Sequence, residues 1–175
     1  MPVRRPSRRC AHALLAGALL SLRGTSAGAG GTKTSSTGTA LATHPAVLLA
    51  RRFASERLGT AACRAIFQEL ADRAGRPLAR RLDELGMSAR EHLASLVFED
   101  GDRDPLCHGT DFMAFTTPLS PIVHVCTSRF ARKMQMSPPV ATATILHEQL
   151  HTLGLGENPP TPREITFHVL ARCGR

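Results

Sequence analysis

The sequence predicts a small α+β domain with N-terminal helices, a short and mostly antiparallel sheet, a buried helix and a C-terminal helix. Three observations support this fold class. Apolar residues recur at helical spacing between residues 47 and 85. Two short apolar segments flank a turn that contains two prolines, which is typical of a hairpin. An uncharged run that follows a pair of prolines predicts a helix in the core.

Residues 1–29 have the composition of a secretory signal peptide. Four arginines at the start precede an apolar run from Ala11 to Leu22, and small residues follow at 26–29. The run is too short to span a bilayer, so we expect this segment to be removed on export. Residues 30–43 are rich in Gly, Ser, Thr and Ala and predict a flexible linker. The folded domain is then expected over 44–175.

The mature chain is expected to be exported, to a periplasm or outside the cell, and to have no membrane-spanning helix. The formal charge of +8 is concentrated in the predicted signal peptide, which carries five arginines and no acidic residue. The remainder has 17 basic and 14 acidic residues, a charge of +3. This ordinary surface, in a chain without Trp or Tyr to stack on bases, argues against a nucleic-acid partner.

Four cysteines follow the predicted signal peptide: Cys63, Cys107, Cys126 and Cys173. An even number in an exported protein predicts two disulfides, and three pairings are possible. No two of them are spaced as Cys-x-x-Cys, so a disulfide is favoured over a cysteine zinc site.

The helices before the sheet are predicted from periodicity and from one capping signal. Apolar residues recur at helical spacing in 47–58, in 62–70 and in 78–85. Ser88, with Glu91 three residues later, forms a capping box, which predicts the start of another short helix. We expect these helices to form a scaffold over the sheet.

The sheet is predicted from three apolar segments. Leu96-Val97-Phe98 predicts a short strand, and the acidic residues 99–104 predict a surface turn because they lack the spacing of a calcium-binding loop. The segments 112–116 and 122–126 predict an antiparallel hairpin. His124 lies between two valines and therefore points away from them, either into a cleft or to solvent.

The most specific signal is His147-Glu148-x-x-His151 at the end of a buried helix. Ser137-Pro138-Pro139 predicts the helix start, and the residues from Val140 to Leu146 carry no charge. Residues four apart lie on one helical face, so His147 and His151 can bind a single ion. Glu148 leaves the helix about 100° away from His147, within reach of a water molecule at that ion.

Glu157 is the candidate for a third metal ligand. A catalytic zinc site normally has three protein ligands and one open position. Gly154 can adopt the left-handed conformation that ends a helix, and the chain then turns so that Glu157 approaches the same ion.

The segment His147-Glu148-x-x-His151-x-x-Gly154-x-x-Glu157 resembles the zinc metallopeptidases called zincins, and its spacing is similar to the elongated motif of the metzincin branch. In that branch the last ligand is usually histidine or aspartate, and a methionine turn follows. This chain has Glu157 and no later methionine. The resemblance implies a zincin-like domain that binds one Zn²⁺ ion and hydrolyses peptide bonds.

The resemblance also leaves an alternative for the third ligand. Thermolysin-like zincins take a glutamate from a later helix, and Glu164 occupies such a position. Thr161 and Glu164 form a capping box at the start of the predicted C-terminal helix, so Glu164 already has a structural role. Glu157 is therefore favoured over Glu164.

The predicted function is that of a secreted zinc-dependent peptidase acting on a peptide or protein. Glu148 is the general base for a metal-activated water. Many zincins stabilise the oxyanion with a tyrosine, which this chain lacks, and His124, His168 and Arg163 are the candidates for that role. By the same resemblance, the second hairpin strand is expected to line the cleft and to pair with extended substrate. Two alternatives remain: a non-catalytic secreted domain with a structural metal, and a binding module with a decayed site.

Overall fold

The computed structural model describes residues 44–109 and 111–174, so the predicted signal peptide (1–29) and linker (30–43) lie outside the described residues. This part of the chain is a mixed α+β domain. Its helices are α1 (Pro45–Arg57), α2 (Ala61–Glu69), α3 (Leu78–Leu85), α4 (Ala89–Ser95), α5 (Pro105–Gly109), α6 (Thr127–Met136), α7 (Pro138–Thr152) and α8 (Pro162–Cys173). Its strands are β1 (Val97–Asp100), β2 (Ala114–Phe115) and β3 (Ile122–Val125).

The helices predicted from periodicity and capping are present as α1 to α4 and as α8. The Ser88 hydroxyl accepts a hydrogen bond from the Glu91 N–H, and the Glu91 carboxylate accepts one from the Ser88 N–H at 2.7 Å. Thr161 and Glu164 form the same reciprocal pair at the start of α8. Both predicted capping boxes are therefore confirmed.

The acidic segment 99–104 contains the predicted surface turn, which is closed by a hydrogen bond of 2.8 Å from the Asp104 N–H to the Gly101 carbonyl, and it has two further roles. Glu99 and Asp100 belong to β1, where they pair with β3. Asp102 accepts a hydrogen bond from the Ser128 hydroxyl at 2.7 Å and others from the Ser128 N–H. These bonds satisfy the first turn of α6, a helix that the sequence analysis did not predict. The segment therefore ends a strand and caps a helix.

The sheet has the strand order β1-β3-β2 and is mixed, so the prediction of a mostly antiparallel sheet is wrong. The predicted hairpin is present, with β2 antiparallel to β3 and Ala114 opposite Val125. The longer pairing, of β1 with β3, is parallel and begins at Val97 opposite Ile122. Parallel strands need a long crossover connection, and here the connection contains α5 and β2.

Helix α7 lies at the centre of the core, as its uncharged sequence predicted. It packs against α1, α6 and α8 and also contacts β2. Every residue from Ala141 to Thr152 is buried. Ser137 precedes the helix but makes no capping hydrogen bond with its side chain, and Pro138 occupies the first turn, where no N–H is needed.

Two disulfides connect elements that are distant in the sequence. Cys63 in α2 is bonded to Cys173 at the end of α8, and Cys107 in α5 is bonded to Cys126 just before α6. The structure thus selects one of the three possible pairings. Two disulfides are typical of proteins that fold in an oxidising compartment. Over the described residues, no helix combines the length and the apolar character needed to cross a membrane.

Candidate metal centre

The two histidines of the motif present their ring nitrogens to one point. His147 and His151 lie one turn apart on α7, with ring centroids 4.8 Å apart and ring planes inclined by 60°. Their Nε2 atoms are 2.9 Å apart. Both imidazoles are buried. Buried polar nitrogens need a partner, and a cation between the two Nε2 atoms would supply it.

The chain reverses immediately after α7 and brings Glu157 to the same point. The Leu155 N–H donates to the Leu150 carbonyl at 3.1 Å, and the Gly154 N–H donates to the His151 carbonyl at 2.9 Å. These two bonds form a Schellman motif, in which the residue at Gly154 must be left-handed. Gly154 has a φ of +105°, which glycine adopts without strain. The predicted turn is therefore present.

The three ligand atoms have the spacing of a metal site. Glu157 Oε1 lies 3.2 Å from His151 Nε2 and 3.9 Å from His147 Nε2. A circle through three atoms separated by 2.9, 3.2 and 3.9 Å has a radius of about 2.0 Å, which matches the roughly 2.0–2.2 Å bonds of zinc to imidazole nitrogen and carboxylate oxygen. An ion near its centre would lie at bonding distance from all three atoms. His147, His151 and Glu157 can thus hold a metal ion.

Each histidine is oriented by a hydrogen bond on its other nitrogen. His151 Nδ1 donates to the Leu155 carbonyl at 2.8 Å, which selects the tautomer whose Nε2 carries the lone pair that can bind a metal. His147 Nδ1 lies 3.0 Å from the Thr166 hydroxyl on α8, which can accept its proton in the same way. Outer partners of this kind fix the tautomer and ring orientation of metal-binding histidines.

The protonation states of the buried groups agree with a site prepared for a cation. Burial, together with the neighbouring His151, lowers the pKa of His147 to about 3, so this imidazole is neutral at physiological pH. Burial, and then the nearby Glu157 carboxylate, raise the pKa of Glu148 to about 8. A cation bound beside Glu148 would favour its charged form. Glu148 is buried and is not one of the three residues that converge.

Glu164, the alternative third ligand, has other partners. Its Oε2 accepts hydrogen bonds from the N–H and the hydroxyl of Thr161, each at 2.8 Å. The bonds from Thr161 hold the pKa of Glu164 below its ordinary value. Glu164 is exposed, and it does not belong to the group formed by the two histidines and Glu157.

The metal group opens into a cleft of about 580 Å³. One side of this cleft is formed by residues 111–118, which include β2. The expectation that β3 pairs with extended substrate is wrong, because β3 lies between the other two strands and has no free edge. Among the described residues, β2 pairs with a strand on one side only, and it lines the cleft.

The candidates for stabilising an oxyanion occupy different surroundings. His124 lines the cleft and stacks on Phe115, with ring centroids 5.0 Å apart. His168 Nε2 lies 2.7 Å from a Glu69 carboxylate oxygen, away from the residues that line the cleft. The guanidinium of Arg163 lies over the ring of Phe167. Among the described residues, His124 is thus the one candidate of the three at the cleft.

Two residues of the site were not identified from the sequence. Thr166 orients His147, and Arg73 lines the cleft beside the turn that carries Glu157. Neither belongs to a motif, and both lie far from their partners in the chain. Thr166 is the one residue of α8 with a hydroxyl group, and this is the feature of the sequence that weakly indicates a hydrogen-bonding role.

Comparison of the chain with protein-family models, with curated proteins and with solved structures gives no match.

Proposed function

We propose that this protein is an exported zinc peptidase of the zincin type, in which His147, His151 and Glu157 hold one Zn²⁺ ion and Glu148 is the general base. One observation carries the proposal. Three donor atoms from one helix and the following turn surround a point about 2.0 Å from each of them. This point lies at the wall of a cleft large enough for a peptide.

The donor set suits zinc. Imidazole nitrogens and a carboxylate oxygen are ligands that Zn²⁺ accepts, and three protein ligands with an open position are typical of its catalytic sites. When bound, zinc acts as a Lewis acid that lowers the pKa of water and polarises a carbonyl group. Two neutral histidines and one carboxylate leave the loaded site with a charge of +1, which suits a developing negative charge.

Glu148 is the residue to which we assign the proton transfer. It follows His147 directly on α7, lines the cleft and stays outside the ligand group. Its carboxylate can take a proton from the attacking water and return it to the departing amine, as a general base and then a general acid. His124, which lines the same cleft, is the candidate donor to the oxyanion.

We propose the edge strand β2 as the binding site for the peptide backbone. β2 pairs with β3 along one edge, has no strand along its other edge in the described part of the chain, and contributes residues to the cleft. An extended peptide can add to such an edge through main-chain hydrogen bonds, which hold it without regard to its sequence. A peptide held there would run past the metal group on α7, since α7 contacts β2.

The main alternative is a structural metal in a non-catalytic domain. A structural zinc site has a fourth protein ligand that closes it. Over the described residues the converging group has three members, and its Glu157 side chain is 40% exposed. An open ligand group beside a cleft favours the catalytic proposal.

The test combines metal analysis with a peptide-cleavage assay. We expect one zinc per purified chain and cleavage of some members of a broad peptide library. Glu148→Gln should retain the zinc and lose cleavage, because the isosteric amide cannot accept the proton. Glu56→Gln, which changes an exposed carboxylate outside the cleft, is the matched control and should cleave normally. Full zinc with no cleavage by the unmodified protein would favour the structural metal.

A further inference from the structure

Arg73 is the single lysine or arginine among the residues that line the cleft in the described part of the chain. It lies in the connection between α2 and α3. Its neighbour Asp72 forms an isolated β-bridge with Leu155. Leu155 is the residue whose carbonyl orients His151. The backbone at Arg73 is therefore tied to the metal group.

The side-chain stem of Arg73 lies against Gly156. A Cβ atom at position 156 would come within 2.9 Å of Arg73 Cγ and 3.0 Å of its Nε. A Cβ atom essentially never has a neighbour closer than 3.0 Å, so the stem lies in this position because residue 156 has no side chain. Gly156 directly precedes Glu157. The guanidinium thus borders the turn that carries the third ligand.

No carboxylate in the described residues neutralises Arg73. The Asp72 carboxylate has other partners. It forms an ion pair with Arg76 at 2.8 Å and accepts hydrogen bonds from the N–H groups of Ala74 and Arg76. Glu157 is directed at His151. Arg73 itself forms no ion pair with any residue in the ranges 44–109 and 111–174. Its five N–H donors are left for a ligand in the cleft.

We propose that Arg73 binds a carboxylate group of the peptide, and that this cleft selects peptides with an acidic side chain or a free C-terminus on the Glu157 side of the metal. The inference rests on the proposed peptidase function, because it assumes a peptide in the cleft. A guanidinium binds a carboxylate through two parallel hydrogen bonds, which gives both affinity and orientation. The positive charge of a loaded metal group would attract the same ligand.

The test measures retention of peptides on immobilised protein. All proteins carry Glu148→Gln, so that a bound peptide is not cleaved, and are loaded with zinc. The probes are two kinds of peptide pair. In the first kind both peptides have an amidated C-terminus, and one contains Glu where the other contains Gln. In the second kind the peptides have the same sequence, and one has a free C-terminus where the other is amidated. Retention is quantified by mass spectrometry for the parent, for Arg73→Gln and for Arg80→Gln. Arg80 is an exposed arginine on α3 outside the cleft, so its variant controls for the loss of one charge.

We expect the parent and Arg80→Gln to retain the carboxylate-bearing member of at least one pair about tenfold more strongly than its neutral partner. Arg73→Gln should lose this preference while retaining the neutral peptides equally well. The pair that responds identifies the source of the carboxylate. A preference that survives in Arg73→Gln, the absence of any preference, or retention of no peptide overturns the inference. If the preference depends on Arg73 but the unmodified protein cleaves nothing, the carboxylate site stands and the peptidase proposal fails.

Discussion

If zinc binds as proposed, replacing Glu157 by glutamine should remove most of the stabilisation that the ion gives to this domain. Glu157 Oε1 is 3.2 Å from His151 Nε2 and completes the group of three ligand atoms. The isosteric amide keeps the shape of the side chain but removes the one negative charge among the ligands. The metal-free protein should be little affected, since Glu157 is at the rim of the site. The substitution is therefore expected to reduce the difference in Tm between the zinc-loaded and the metal-free protein.

The magnitude follows from ligand linkage. A ligand at a thousand times its Kd stabilises the folded state by about 4.1 kcal/mol. Loss of an outer partner of a metal ligand weakens metal affinity by 10–100-fold, so loss of the only charged ligand should weaken it at least ~100-fold. At the same zinc concentration the stabilisation then falls to about 1.4 kcal/mol. For a domain of this length the missing ~2.7 kcal/mol corresponds to a Tm roughly 10 °C lower.

The assay is thermal unfolding with and without zinc, in the presence and absence of a chelator. Glu164→Gln is the matched control, because glutamine also serves in a capping box. It should lower the Tm only slightly, and equally in the two forms. The assignment of Glu157 as ligand is refuted if Glu164→Gln, and not Glu157→Gln, abolishes the zinc-dependent rise in Tm.

Four further predictions test the surroundings of the site. Thr166→Val removes the hydroxyl that orients an imidazole and should weaken zinc binding by about 10–100-fold in a competition assay, with little change in the Tm of the metal-free protein. Gly154→Ala forces an L-residue to a φ of +105° and should lower the free energy of unfolding in urea by roughly 1–2 kcal/mol; an unchanged value would contradict the left-handed turn. Replacing both Cys63 and Cys173 by alanine opens a loop of 110 residues and should lower that free energy by about 4.8 kcal/mol. Burial lowers the pKa of His92 in the folded protein, so the unfolded chain binds a proton at this residue more readily. The free energy of unfolding should therefore be highest above the ordinary histidine pKa of about 6.5 and should fall as the pH drops below it. This fall should be smaller in His92→Gln.

The features that were predictable from the sequence depend on neighbours in the chain. The distance between His147 and His151 is set by one helical turn, and the return of the chain is set by Gly154. The capping boxes at Ser88 and Thr161 each require two residues three positions apart. Such signals need no knowledge of the fold, because the helix geometry itself brings the atoms together.

The features that were missed depend on segments that meet only in the folded domain. The parallel pairing of β1 with β3 requires a crossover, and no local pattern distinguishes it from an antiparallel neighbour. Helix α6 buries only Phe130 and Met134, which is too few apolar residues to predict a helix from periodicity. Its first turn is hydrogen-bonded by Asp102, which precedes β2 in the chain. Arg73 reaches the cleft because Asp72 pairs with Leu155, which no spacing in the sequence indicates.

The bond between Cys63 and Cys173 makes a covalent ring of nearly all the described chain, including the metal ligands and the cleft. A single backbone nick anywhere inside that ring leaves the two pieces joined, so neither fragment can diffuse away. A protein that is exposed to hydrolases would keep the two pieces together after such damage. Intact mass on a non-reducing gel and two bands on a reducing gel would be the signature of a molecule that has been nicked in this way.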